Sequence, residues 1–202
     1  MGNAENLHSD LIKEDNELIA SFTSGDREAF DALVLKYKDR VFNICYRFVT
    51  DYDEANDCAQ EVFLKVYRSL KGFKFKSTFS TWLYSITINT CKNKVASAEY
   101  RMSKRSLRLD EPVKTEDDDV KIELKDPKPL QSDMLDRKNA AVRIEKAIDS
   151  LPGDQKAVVI LRDIEGLSYE EISATTGFNL GTVKSKLSRA REALREKLKG
   201  LA

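Results

Sequence analysis

Apolar residues recur at steps of three and four through the first half of the chain. Phe30, Leu33, Val34, Tyr37, Val41, Ile44, Cys45 and Phe48 form one such series. That spacing is the period of an α-helix with one buried face. Ala55, Ala59, Val62, Phe63, Val66 and Leu70 form a second series, and Phe79, Trp82, Leu83, Ile86 and Thr90 a third. Gly25 or Asp26 could cap the first helix, and Asp51 or Asp53 the second. No stretch alternates with the two-residue period of a strand, and only 8 glycines and 4 prolines occur in 202 residues. Charged residues make up 34%. Long charged side chains at this frequency favour helices over sheets. The expected fold is all-α.

The periodicity breaks after residue 105. Residues 106–136 contain three of the four prolines (Pro112, Pro127, Pro129) and an acidic run, Glu116 through Asp119. A structureless stretch of this length is unusual inside one compact domain, so it reads as a flexible linker between two small helical domains. The formal net charge is zero, but the average conceals a split. Residues 26–105 carry 15 Lys/Arg against 10 Asp/Glu, residues 106–136 carry 5 against 10, and residues 137–202 carry 13 against 9. Two basic modules therefore flank an acidic bridge, a pattern that points to nucleic acid.

After the bridge, Ala140, Ile144, Ala147 and Ile148 form a helix that stops at Leu151-Pro152-Gly153. Ala157, Ile160, Leu161 and Ile164 form the next, which ends at Gly166. Ser168-Tyr-Glu-Glu171 then fits a capping box, in which the serine hydroxyl and the glutamate each satisfy a backbone amide at a helix start. Gly177 breaks this short helix and Asn179 caps its successor. Val183, Leu187, Ala190, Leu194 and Leu198 lie within about 80° on a helical wheel and make a buried stripe. The opposite face carries Gly181, Thr182, Ser185, Ser188 and Arg189, flanked by Lys184, Lys186, Arg191 and Arg195. A capped helix, a glycine turn and a second helix with a basic outer face describe a helix-turn-helix whose second helix enters a major groove. Thr182, Ser185, Lys186 and Arg189 are expected to meet bases, and Lys184 and Arg191 phosphates.

In the first half, Phe73, Phe75, Phe79, Trp82 and Tyr84 are interleaved with Lys71, Lys74 and Lys76, and Asn89, Lys92, Asn93 and Lys94 follow. Aromatic rings stack on unpaired bases while lysines follow the phosphates, so this cluster suits a separated strand. Phe79, Trp82 and Leu83 would equally serve as core residues. The segment from Asp53 to Tyr67 instead presents acidic and amide groups on its outer face, which fits a docking face for a basic partner helix or simply a solvated surface.

No chemistry-bearing constellation appears. His8 is the one histidine, no CxxC occurs, and Cys45, Cys58 and Cys91 are far apart in sequence. They read as buried reduced thiols of a cytosolic protein, with no metal site and no disulfide framework. There is no glycine-rich phosphate loop and no catalytic set, so no catalytic residue and no cofactor is expected. The first residues lack the basic start and apolar run of a signal peptide, and no apolar run is long enough to span a bilayer.

Six motifs occur in a fixed order: EANDCAQEVF at 54–63, an F-x-x-x-S-x-F-x-T-W-L pattern over residues 73–83, NTCKN at 89–93, an L-P-x-x-Q-x-x-V pattern over 151–158, EGLSYEEI at 165–172 and GTVKSKLSRAR at 181–191. In that order they resemble the extracytoplasmic-function sigma factors, group IV of the sigma-70 superfamily, over residues 20–200. The resemblance implies a stress-response transcription factor with a tail (1–20), a region 2 (21–105), an acidic linker (106–136) and a region 4 (137–202). Glu54, Asp57, Gln60, Glu61 and Phe63 would bind the clamp helices of the polymerase β′ subunit, and region 4 the β flap. Phe73, Lys74, Phe75, Lys76, Trp82, Tyr84, Asn89, Lys92 and Lys94 would melt and read the −10 element, with Asn89 on a flipped-out base. Thr182, Lys184, Ser185, Lys186, Arg189 and Arg191 would read the −35 element. The linker would follow the RNA exit path.

The implied partners are core RNA polymerase, promoter DNA in duplex and melted form, and an anti-sigma factor, with no small-molecule substrate. The implied location is the cytoplasm, or the membrane surface when an anti-sigma factor holds the chain there. Lys184 and Lys186 depart from the arginines usual in the family, and Lys76 from a small or acidic residue. The C-terminal motif alone would also suit an autonomous operator-binding regulator, which leaves the docking helix, the aromatic cluster and the bridge unexplained.

Overall fold

The computed structural model describes residues 2–97 and 130–199, with side chains from Asp10 and from Ala140 onward. Among the described residues there are helices and no strands, as the three-and-four spacing requires. Four helices form the first region: α1 (Gly2–Thr23), α2 (Glu28–Val49), α3 (Tyr52–Ser69) and α4 (Phe79–Ala96). The second holds α5 (Leu130–Asp149), α6 (Gly153–Val159), α7 (Tyr169–Thr176) and α8 (Leu180–Lys197). A single π-helical turn, Ile160–Ile164, continues α6.

α2 is the hub of the first region. Leu33, Tyr37, Val41, Ile44, Cys45 and Phe48 are buried along it against α1, α3 and α4. Asp51 caps α3, its carboxylate accepting from the Glu54 amide at 2.9 Å, and Asp26 accepts from the Glu28 amide at 3.0 Å ahead of α2. Thr78 caps α4, accepting from the Thr81 amide at 3.2 Å. Thr50 ends α2 in the left-handed conformation at φ 56°.

Two boundaries differ from expectation. Residues 1–20 were expected as a tail, but α1 covers nearly all of them and packs on α2. Ile19 and Phe22 are buried, and Asp15, only 3% exposed, accepts from the Tyr37 hydroxyl at 2.6 Å and from Lys36 at 2.7 Å. The polar composition of this stretch masks a narrow apolar stripe completed by two partners on α2. The second helical region begins at Leu130 rather than residue 137. The rest of the expected bridge, 106–129, lies outside the described residues.

The two regions also meet. α4 packs on α7, α2 packs on α5, and one continuous buried cluster includes residues from both. Lys156, on α6, donates to the Phe48 carbonyl at 3.3 Å and pairs with Asp149 at 2.9 Å. A buried ammonium is tolerable because both partners are supplied. Cys45, Cys58 and Cys91 are buried and free of disulfides, on α2, α3 and α4 respectively.

Candidate nucleic-acid and polymerase interfaces

The second region contains the helix-turn-helix expected from its local signals. The Glu171 amide donates to Ser168 at 3.1 Å, and the Ser168 amide donates back to the Glu171 carboxylate at 2.7 Å. Gly177 ends α7 at φ 74°, a conformation that costs a side-chain-bearing residue energy. The Ser173 hydroxyl donates to the Phe178 carbonyl at 2.6 Å and holds the turn. Asn179 starts α8, accepting from the Thr182 amide at 2.8 Å.

Val183, Leu187 and Ala190 are buried beneath α8 while Lys184, Ser185 and Arg189 stand exposed and Thr182 is half-buried. Two of the six candidate residues on this helix form ion pairs with acids of the same chain. Arg191 forms an ion pair with Asp163, Nε to carboxylate 3.2 Å. Lys186 pairs with Asp154 at 3.0 Å and lies over the Phe178 ring, 4.9 Å from its centroid.

Phe73, Phe75, Phe79 and Trp82 form a connected aromatic group at the start of α4. Phe73 lies 4.9 Å from Phe75 and 5.1 Å from Trp82, ring centre to ring centre. Phe79 is buried and anchors the group, Phe73 and Trp82 are half-buried, and Phe75 is 53% exposed. Phe75 also sits at φ 53°, a conformation rare for an aromatic residue, and such strain concentrates at functional loops. Lys74 and Lys76 flank it in solvent, and Asn89 is exposed farther along α4.

Three members of the aromatic–lysine series are placed otherwise than stacking or phosphate contact would need. Tyr84 is buried, and its hydroxyl accepts from Arg40 at 3.5 Å; its ring is unavailable to a base. Burial, the largest influence, holds its pKa above the ordinary tyrosine value against the opposing pull of Arg40. Lys94 forms an ion pair with Glu54 across α3 and α4. Lys92 pairs with Asp154 at 2.7 Å and lies over Phe178 at 5.2 Å, so it faces the second region.

On α3, Asp57, Gln60 and Glu61 are exposed, with Glu61 paired to Lys65 at 2.7 Å. Gln60 and Phe63 line a groove of about 510 Å³ between α2 and α3, whose apolar walls include Val34, Phe42 and Leu64. Leu64 is 56% exposed. Composition alone did not reveal this groove, because Val34 and Phe42 come from a different helix. Glu54 is turned toward Lys94 instead.

Residues 33–100 match the family described as "Sigma-70 region 2", and residues 141–194 match "Sigma-70, region 4". The chain is 39% identical over 189 residues to the RNA polymerase sigma-H factor of Pseudomonas aeruginosa, covering 94% of this chain and 96% of that protein. It is 35% identical over 187 residues to the ECF RNA polymerase sigma-E factor of Haemophilus influenzae, covering 93% and 96%. Its fold is similar to that of CnrH in complex with the cytosolic domain of CnrY, with a TM-score of 0.66 at 22% identity, covering 92% of this chain and 97% of that one. It is also similar to the sigma factor RpoE of Bartonella quintana in complex with the anti-sigma factor NepR, with a TM-score of 0.57 at 26% identity, covering 85% and 97%.

Proposed function

The chain belongs to the extracytoplasmic-function RNA polymerase sigma factors, and from that premise we propose how its parts divide the work of starting transcription. It binds core RNA polymerase, directs it to promoters and contributes to opening the duplex. Its partners are the core enzyme, promoter DNA and an anti-sigma factor. The chemistry of RNA synthesis belongs to the polymerase. No described helix is long and apolar enough to cross a membrane.

The α2–α3 groove is the docking face for the β′ clamp helices. Phe63 and Leu64 supply apolar contact and Asp57, Gln60 and Glu61 the polar rim, which suits a basic amphipathic helix laid in a groove. Region 4 meets the β flap. The exposed face of α8 reads the −35 element through Thr182, Ser185, Arg189 and, once released from Asp154, Lys186, with Lys184 and, once released from Asp163, Arg191 holding the backbone. Phe73, Phe75 and Trp82 stack on the melted −10 strand, Lys74 and Lys76 follow its phosphates, and Asn89 holds a base drawn out of the stack. The acidic segment 106–129 serves along the RNA path, where its net negative charge imitates a transcript. The chain works in the cytoplasm, or against the membrane when an anti-sigma factor is anchored there.

One observation carries most of this reading: a single chain presents both an apolar docking groove on α3 and an exposed basic recognition helix, α8. An autonomous operator-binding regulator has no use for the groove. Transcription in vitro with core polymerase over a promoter library tests the choice. A sigma factor selects promoters only with core enzyme present, whereas tight site-specific binding by the chain alone would support the regulator.

The packing of the two regions adds a requirement. The −35 and −10 elements lie about 25 base pairs apart, or about 85 Å at 3.4 Å per base pair. Lys92 and Lys186 reach the same carboxylate. Region 2 and region 4 therefore separate before both elements are held.

A further inference from the structure

Cys45, Cys58 and Cys91 are distant in sequence, yet their sulfurs converge in the middle of the α2–α3–α4 bundle. Cys91 Sγ lies 3.6 Å from Cys45 Sγ and 3.7 Å from Cys58 Sγ, and all three sulfurs fall within 4.8 Å of one another. Each residue is fully buried. Nothing in promoter recognition or polymerase docking uses them.

We propose that these three cysteines form a binding site for a trivalent thiophilic metalloid ion, of which arsenic(III) is the simplest example. A soft ion bound to sulfur at about 2.3 Å, with angles near 95–110°, spaces its sulfurs about 3.4–3.8 Å apart. The two contact distances fall in that interval, and the third pair, Cys45 and Cys58, lies within 4.8 Å and closes onto the ion.

Coordination number and charge select the ion. Structural zinc takes four ligands, and among the described residues no fourth His, Cys, Asp or Glu joins this group. A trivalent metalloid is pyramidal and needs three, its lone pair filling the remaining direction. Three thiolates neutralise a trivalent ion. The same set would leave a divalent ion with one negative charge and a monovalent one with two, which an apolar core resists.

The exchange is not a redox reaction. Arsenous acid, As(OH)₃, loses three As–O bonds and gains three As–S bonds. Each thiol proton leaves with one hydroxide, giving three waters, and arsenic stays trivalent. Because the sulfurs are enclosed, the ion enters only when the helices part, and uptake is slow. Once bound, it ties α3, which carries the docking candidates, to α4, which carries the −10 candidates.

The test uses the full-length reduced chain under anaerobic conditions, with arsenite as the probe. Native mass spectrometry should find one arsenic per chain with loss of three protons, and X-ray absorption should find three sulfur neighbours. Cys45→Ser, Cys58→Ser and Cys91→Ser should each lose stoichiometric retention while keeping their helical circular dichroism. If any serine variant does not fold, the sulfur count in the wild-type chain decides. Two sulfur neighbours, full retention by a folded Cys91→Ser variant, no retention by the wild type, or displacement of arsenite by equimolar zinc would each overturn the proposal.

Discussion

Lys92 of α4 and Lys186 of α8 share the carboxylate of Asp154, one on each oxygen at 2.7 and 3.0 Å. Both ammonium groups also lie over the Phe178 ring. Two side chains assigned to DNA phosphates and bases are thus neutralised by one acid of the same chain. Asp154→Ala should loosen the contact between the regions. Each of the two solvent-accessible ion pairs contributes about 0.2–1 kcal/mol, so weak binding of a promoter fragment by the chain alone should rise roughly two- to thirtyfold. Small-angle scattering should record a larger radius. Unchanged scattering and binding would show that the apolar contacts alone hold the regions together.

The same acid gives a pH dependence. Hydrogen bonds from Lys92 and then Lys186 hold Asp154 below the ordinary carboxylate pKa of 3.8. A carboxylate whose pKa is lowered in the closed form favours that form above the ordinary value, and the preference disappears as pH falls through the lowered one. Proximity of the two regions, followed by fluorescence transfer between labels, should therefore be flat from neutrality to about pH 5. It should decline only in more acidic solution, and the decline should be absent in Asp154→Ala.

Asn89 is exposed on α4 beyond the aromatic group. Asn89→Ala should impair promoter opening or −10 selectivity and leave core binding intact. Permanganate footprinting of the melted strand and a core-binding titration separate the two effects. Identical selectivity of wild type and variant over all −10 sequences would remove Asn89 from the reading set.

Arg189 is exposed on α8 and makes no described ion pair that would compete with DNA. If it grips a base with both nitrogens, Arg189→Ala should weaken −35 recognition by about 1–3 kcal/mol and relax preference at one position. A uniform loss across −35 sequences would reassign it to the phosphates.

Asp15 is buried on α1 with Tyr37 and Lys36 as its partners. Tyr37→Phe leaves one carboxylate oxygen without its 2.6 Å partner, which should cost about 1–3 kcal/mol. Denaturant melting should show the loss, and hydrogen exchange should place it in α1. Lys36 is raised above the ordinary lysine pKa by Asp15 and Glu14 against the opposing effect of burial. Its contribution is thus full below the ordinary lysine value and is lost only at higher, strongly alkaline pH.

Legibility in the sequence followed the range of the interactions. Ser168, Glu171, Gly177 and Asn179 act within four residues of themselves, so the helix-turn-helix was readable from spacing alone. Tyr84 was not, because an aromatic residue among lysines looks the same whether it faces solvent or Arg40, a partner 44 positions away. The helical identity of residues 10–20 was hidden for the same reason, since Asp15 looks like a solvated acid until Tyr37 stands over it. Glu54 and Lys94 were assigned to different partners, and the fold gave them to each other. The three cysteines showed no motif spacing, and only the crossing of three helices brought them together.

The contact between Lys156 and the Phe48 carbonyl joins positions 108 residues apart. The intervening chain includes the acidic segment, and closing such a loop costs entropy that grows only with the logarithm of its length. Adding about 30 residues to that segment would cost about 0.2 kcal/mol. Insertions and deletions there are therefore nearly neutral for the folded arrangement, and the segment is free to be lengthened, shortened or recharged by evolution as transcription demands while the helices around Lys156 stay as they are.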